Sequence, residues 1–157
     1  MSVFCFIDKI VEVRKKESLT ALFTLKGSEE FLKDHFDGFP VMPGVLLLEA
    51  LRQVASSLLV LSGDFEETFY RFSQVEAVKF GQFVKPGSAL KLWVRLLKKE
   101  KEEIFFEGRI DLKSGGVLSG KALTANFSLL PLESEAEEKA VLRKNARLFH
   151  RAIPVGV

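Results

Sequence analysis

Hydrophobic residues recur at every second position along much of this chain, and in one stretch they run almost without a break. Leu19, Ala21, Phe23 and Leu25 alternate with polar neighbours, the pattern of a strand with one buried face. Leu90, Leu92, Val94 and Leu96 alternate with Lys91, Trp93 and Arg95 in the same way. Ile104, Phe106, Ile110 and Leu112 resume the period after a charged hairpin tip at 98–102, and Ser114-Gly115-Gly116 turns the chain into a last strand at 117–129. Two less regular apolar stretches, 3–13 and 69–80, also read as strands. Between these lie a charged turn at 14–18, a polar connection at 27–34, an acidic loop at 64–67 and the turn Pro86-Gly87-Ser88.

The unbroken stretch is different. From 45 to 61 nearly every residue is apolar or small, too long a run for a strand, and Gly63 marks its end. At ~1.5 Å per residue such a helix is about 25 Å long, enough to cross a small core. Ahead of it, residues 35–44 form a stiff loop: Gly38 and Gly44 open backbone angles closed to other residues, while Pro40 and Pro43 fix φ. Pro43 suits a first helical turn, where its missing N–H costs nothing. Two strands, one buried helix and four further strands predict an α+β domain, a curved antiparallel sheet wrapped around one long central apolar helix. That domain spans 1–131. Beyond Pro131 the composition shifts, and Ser134 with Glu137 fits a capping box for an appended helical tail within 132–157.

Composition narrows the classes. A chain of 157 residues makes one domain with room for a real core, and 47% hydrophobic with 28% charged residues is usual for a soluble globular protein. A net charge of +2 does not argue for a nucleic-acid partner. Cys5 is the sole cysteine, so no internal disulfide forms, and with only His35 and His150 beside it no metal-ligand spacing emerges. The start of the chain lacks a basic leader, and the helix carries Glu49 and Arg52 inside its apolar run. No membrane association and a cytoplasmic location are therefore expected.

Candidate chemistry sits around the helix start. His35 lies at the mouth of the loop, and Glu49 in the second turn of an otherwise greasy helix, on one face with Gln53 four positions on. The amides around Gly44 point out of the helix start, where an anion is stabilised. On the residues alone, Glu49 is as well explained by an ion pair with Arg52, three positions on, and His35 by an ordinary hydrogen-bonded loop histidine.

The string His35-Phe36-Asp37-Gly38-Phe39-Pro40-Val41-Met42-Pro43-Gly44, followed by Glu49-Ala50 and Gln53, resembles the β-hydroxyacyl-acyl-carrier-protein dehydratases of the FabA/FabZ type. Lys79-Phe80 and Val84-x-Pro86-Gly87 look like that family's strand and turn after the helix. The resemblance covers residues 4–129. It departs at Asp37 and Phe83, where Pro is frequent, and at Ser88, where Asp is common. Asp37 places a carboxylate two residues from His35, which favours the imidazolium over the neutral base.

The resemblance implies the hotdog fold and the dehydration of a 3-hydroxyacyl thioester to a trans-2-enoyl thioester, with no cofactor and no metal. It implies His35 as base, Glu49 as un-ionised acid and Gly44 as oxyanion donor, roles these groups suit chemically. Phe36, Val45, Phe80 and Phe83 would line an acyl tunnel, with Gln53 in support. The implied partner is acyl carrier protein bearing the acyl chain. The implied assembly is a homodimer that shares its active sites, and a trimer of dimers is consistent with it. A sibling group that also isomerises the double bond carries Asp at the acid position, and Glu49 argues against that activity. Two other classes compete: a hotdog acyl thioesterase, and a non-catalytic acyl-carrier or acyl-chain binding module, suggested by Asp37 and the tail.

Overall fold

The computed structural model describes residues 5–27, 41–63 and 70–131. His35, Phe36 and the expected tail at 132–157 lie outside the described residues.

The strands are β1 (Lys9–Arg14), β2 (Ser18–Thr24), β3 (Tyr70–Phe80), β4 (Ala89–Glu100), β5 (Glu103–Ser114) and β6 (Val117–Pro131), with helix α1 (Gly44–Leu61) between β2 and β3. They form one six-stranded sheet in the order β1-β2-β4-β5-β6-β3. Every neighbouring pair is antiparallel. The alternation seen in the sequence is what buries one face. Leu19, Ala21 and Phe23 of β2, Leu90, Leu92 and Val94 of β4, and Ile104, Phe106 and Ile110 of β5 are all buried in one core. Helix α1 lies against that face, touching β2, β3, β4 and β5.

The helix meets the sheet through Leu47, Ala50, Leu51, Val54, Ala55, Leu58 and Leu59, a stripe at the spacing of one helical face. Each buried leucine contributes about 1.5–3 kcal/mol through apolar surface removed from water. Gly108 of β5 lets the two layers close. A Cβ there would stand 2.9 Å from Leu51 Cδ1 and 3.0 Å from Phe127 Cε1. Phe127 in turn stacks on Phe106, with centroids 5.4 Å apart, and meets the edge of Phe72 at 5.5 Å. The far end of the helix is tied to the first hairpin. Ser62 Oγ donates to the Leu58 carbonyl at 2.6 Å and accepts the Lys16 amide at 2.9 Å.

Three boundaries differ from the sequence expectation. The first strand begins at Lys9, because the Phe6 amide donates to Gln53 Oε1 (2.8 Å) and so ties residue 6 to the helix. Strand β4 continues to Glu100, and the hairpin tip shrinks to Lys101-Glu102, with Lys101 at φ 58° making the tight turn. The helix starts at Gly44, so Pro43 is its cap residue at φ −58° and ψ 140° rather than its first turn. Strand β3 exists where expected, yet it is the sheet's edge and most of its side chains are exposed.

Substituting Gly108 by Val should overpack the Leu51 and Phe127 contact and cost about 1–3 kcal/mol. Urea unfolding of wild type and variant measures this as a lower midpoint at similar slope.

Candidate active site

The helix start is built from backbone. The Met42 amide donates to the Val84 carbonyl at 2.8 Å, which pins residues 41–43 to the segment after β3. The Pro43 carbonyl then accepts the amides of Leu46 (3.0 Å) and Leu47 (3.3 Å), opening the helix. No side chain caps this end, and its first turn holds no acidic residue. The Gly44 and Val45 amides are thus left facing outward, as at any helix start. Phe80, the last residue of β3, lies directly over Gly44: a Cβ on residue 44 would come 2.6 Å from Phe80 Cε1. Side chains in this region stay apolar and open to solvent, with Val45 69% and Phe80 59% exposed. Phe83 is 66% exposed and borders a basin with Lys85, Lys113, Ser114 and Ser119.

About 7.5 Å further along the axis, at ~1.5 Å per residue, comes Glu49. Its carboxylate accepts Arg52 Nε on Oε2 at 2.7 Å and Arg52 Nη2 on Oε1 at 2.5 Å. Gln53 Nε2 donates to Oε1 at 3.2 Å. Arg52 also donates through Nη1 to the Tyr70 carbonyl (3.0 Å) at the start of β3. The guanidinium is 14% exposed and the carboxylate 31%, so the pair is sheltered but reachable from one side. The carboxyl, expected in purely apolar surroundings, meets a cation on its own face in a two-point fork.

Gln53 is buried and bridges two elements, accepting the Phe6 amide while donating to Glu49. It holds the acid's neighbourhood to the start of the chain. Cys5 offers no competing nucleophile of the activated kind: its thiol donates to the Ile7 carbonyl at 3.3 Å, and burial, then Asp8, push its pKa up.

Of the expected site residues, Glu49 and Gln53 therefore come together, as do Gly44 and Phe80, with Val45 beside Gly44 on the helix. Phe83 faces a different basin. Sequence reasoning weighed Arg52 only as a structural partner and missed Phe6 and the Tyr70 carbonyl. The i,i+3 spacing had already offered the Arg52 pair, but no local signal marks the other two.

A model of the ApeI-like dehydratases, described as ApeI dehydratase, matches residues 11–120. The chain belongs to the ApeI-like dehydratase family. Among its relatives is a protein of Pediococcus pentosaceus named 3-hydroxyacyl-[acyl-carrier-protein] dehydratase FabZ, 40% identical over 96 residues. That match takes in 61% of this chain and 64% of the Pediococcus protein, so the chain spans less than two thirds of that relative's length. A second relative of the same name, from Nitratidesulfovibrio vulgaris, is 39% identical over 108 residues, 68% of this chain and 70% of the relative. The dehydratase heterocomplex ApeI:P of Xenorhabdus doucetiae contains a chain of the same fold. It superposes with a TM-score of 0.57 at 24% identity, covering 76% of this chain and 92% of that one. The hotdog architecture is thus the one seen here, with one helix against the sheet among the described residues.

Replacing Gln53 by Leu should remove the oxygen that accepts the buried Phe6 amide and cost about 1–3 kcal/mol. Chemical denaturation of the variant checks this, and a stability equal to wild type would contradict the bridging role.

Proposed function

We propose that this chain removes water from 3-hydroxyacyl thioesters carried on acyl carrier protein, giving trans-2-enoyl thioesters. The observation that carries the reading is a reachable carboxylate at Glu49, in the second turn of an apolar helix that starts at Gly44 with no side-chain cap. A thioester whose carbonyl oxygen lies at the Gly44 amide would bring its third carbon within range of Glu49. The name borne by the FabZ relatives points the same way.

The residues divide the work as follows. His35 takes a proton from the carbon beside the thioester carbonyl, and the electron pair moves onto the carbonyl oxygen. The Gly44 amide stabilises that oxygen as charge develops on it. Glu49 gives its proton to the hydroxyl on the next carbon, the C–O bond breaks, and water departs as the C=C bond forms. The proton held by His35 returns through solvent to Glu49, so the cycle loses one water and nothing else. Val45, Phe80 and Phe36 hold the start of the acyl chain, and Phe83 meets the carrier's arm on the outer side.

The assembly proposed with it is a homodimer. Strand β3 is eleven residues long, lies at the edge of the sheet, and exposes Val75 and Phe80. Its unpaired amides and carbonyls are a ready template for a second strand, and a twofold pairing is the usual way such an edge is closed. A site shared between protomers then draws His35 from one and Glu49 from the other. Grouping of three such dimers is a further step of the same proposal.

Incubation with 3-hydroxyacyl-carrier thioesters should produce an ultraviolet-absorbing enoyl thioester without release of free thiol. His35→Ala and Glu49→Gln should each lose at least about 100-fold in kcat. Dissociating and re-associating a mixture of the two variants should recover part of the activity. Free thiol in place of enoyl product would instead favour thioesterase chemistry, and binding without turnover a carrier-binding module.

A further inference from the structure

The Glu49 carboxylate is gripped by a residue to which the proposed reaction assigns nothing. Arg52 occupies both Glu49 oxygens with a two-point fork and donates through Nη1 to the Tyr70 carbonyl. Its position is therefore set from two elements, the helix and the first residue of β3. Among the described residues, the strand faces packed on α1 from β2, β4 and β5 are apolar, formed by residues such as Leu19, Phe23, Leu92, Val94 and Ile110. β3 contributes the buried Tyr70 ring, and its Arg71, Glu76 and Lys79 are exposed. Arg52 is the cation in contact with this carboxylate.

We infer that Arg52 is a positioning residue for the acid, stabilising the negative charge that appears on Glu49 as its proton passes to the departing hydroxyl. This rests on the dehydratase reading above. The reason is one of timing. As the proton donor of the proposed reaction, Glu49 starts neutral and in that form gains little from the guanidinium. As the C–O bond breaks, the carboxyl becomes a carboxylate, and a preset cation 2.5–2.7 Å from its oxygens gains most at that moment. An interaction that strengthens only in the transition state raises kcat and leaves substrate binding almost untouched. The fork also fixes direction. Oε1 is used twice, by Arg52 and Gln53, whereas Oε2 is used once, by Arg52 Nε. Oε2 is therefore the oxygen left to carry the proton and meet the substrate hydroxyl.

The Tyr70 tie has a second effect. A flexible arginine would pay side-chain entropy each time it reached the carboxylate. With Nη1 held by a sheet backbone atom, the geometry is in place before substrate arrives, which is the condition for electrostatic help at no reorganisation cost.

The test is steady-state enoyl formation by the full-length chain carrying Arg52→Gln, Arg52→Lys, Glu49→Gln and the double change Glu49→Gln/Arg52→Gln, with thermal unfolding of each. Arg52→Gln should lower kcat about 10-fold or more with KM within about 2-fold. Arg52→Lys, which keeps the charge and loses the fork, should recover part of that loss. The double variant should be no slower than Glu49→Gln alone, because two residues acting through one step are not additive. Unchanged kcat in Arg52→Gln, a loss confined to KM, or a double variant slower by the full product of both losses would each overturn the inference. If Arg52→Gln unfolds, the Arg52→Lys kcat decides, and a value equal to wild type overturns it. A wild-type chain that makes no enoyl product sinks the dehydratase reading itself, a separate outcome from an active wild type indifferent to Arg52.

Discussion

A helix with apolar residues on most of its circumference has to be covered, and in this protein a single curved sheet does the covering. Burial of the stripe from Leu47 to Leu59 is what the strands are arranged to achieve: their inward positions are largely leucine, isoleucine, valine and phenylalanine, and the outward ones of β4 include Lys91, Trp93 and Arg95. The fit is close enough that one strand position must do without a side chain, at Gly108. Because this packing fixes the helix, it also fixes whatever polar groups the helix carries. Glu49, Arg52 and Gln53 owe their mutual geometry to it.

Polar groups in such surroundings are kept only with partners, and the partners here form one chain of contacts. The Phe6 amide leads to Gln53, Gln53 to Glu49, Glu49 to Arg52, and Arg52 to the Tyr70 carbonyl. The path runs from the segment before β1, across the helix, to the first residue of the edge strand. It links the part of the chain that opens the domain with the strand proposed to meet a second copy. The sequence places the helix start and the carboxylate five residues apart, and these contacts anchor Glu49 to two other elements.

Much of this was legible in the residues, and the reasons for the remainder are physical. The two-residue period of 90–96 and 104–112 and the unbroken run of 45–61 gave the strands and the helix, because side-chain burial is what creates those periods. The edge position of β3 was not legible, since its residues are rich in aromatics and valine as a central strand's would be, and only the pairing order reveals its open side. The strand boundary at Lys9 depended on a hydrogen bond between residues 47 apart, beyond any local signal. At the site, spacing allowed both an acid and an ion pair at Glu49. The structure shows the pair. The match to the ApeI-like dehydratases covers the strands and helix that build this site.

Strand β3 is not straight. Its pairing with β6 slips between Glu76 and Lys79, and Ala77 there adopts φ 51°, a left-handed turn unusual for a residue with a side chain. A straight edge of this length would accept strands from unrelated chains at many offsets, the geometry from which fibrils grow. With a second slip between Phe72 and Gln74, the edge is broken into short runs. A strand sliding along it loses its ladder within a few residues, so growth into fibrils is blunted while a neighbour of matching curvature can still fit.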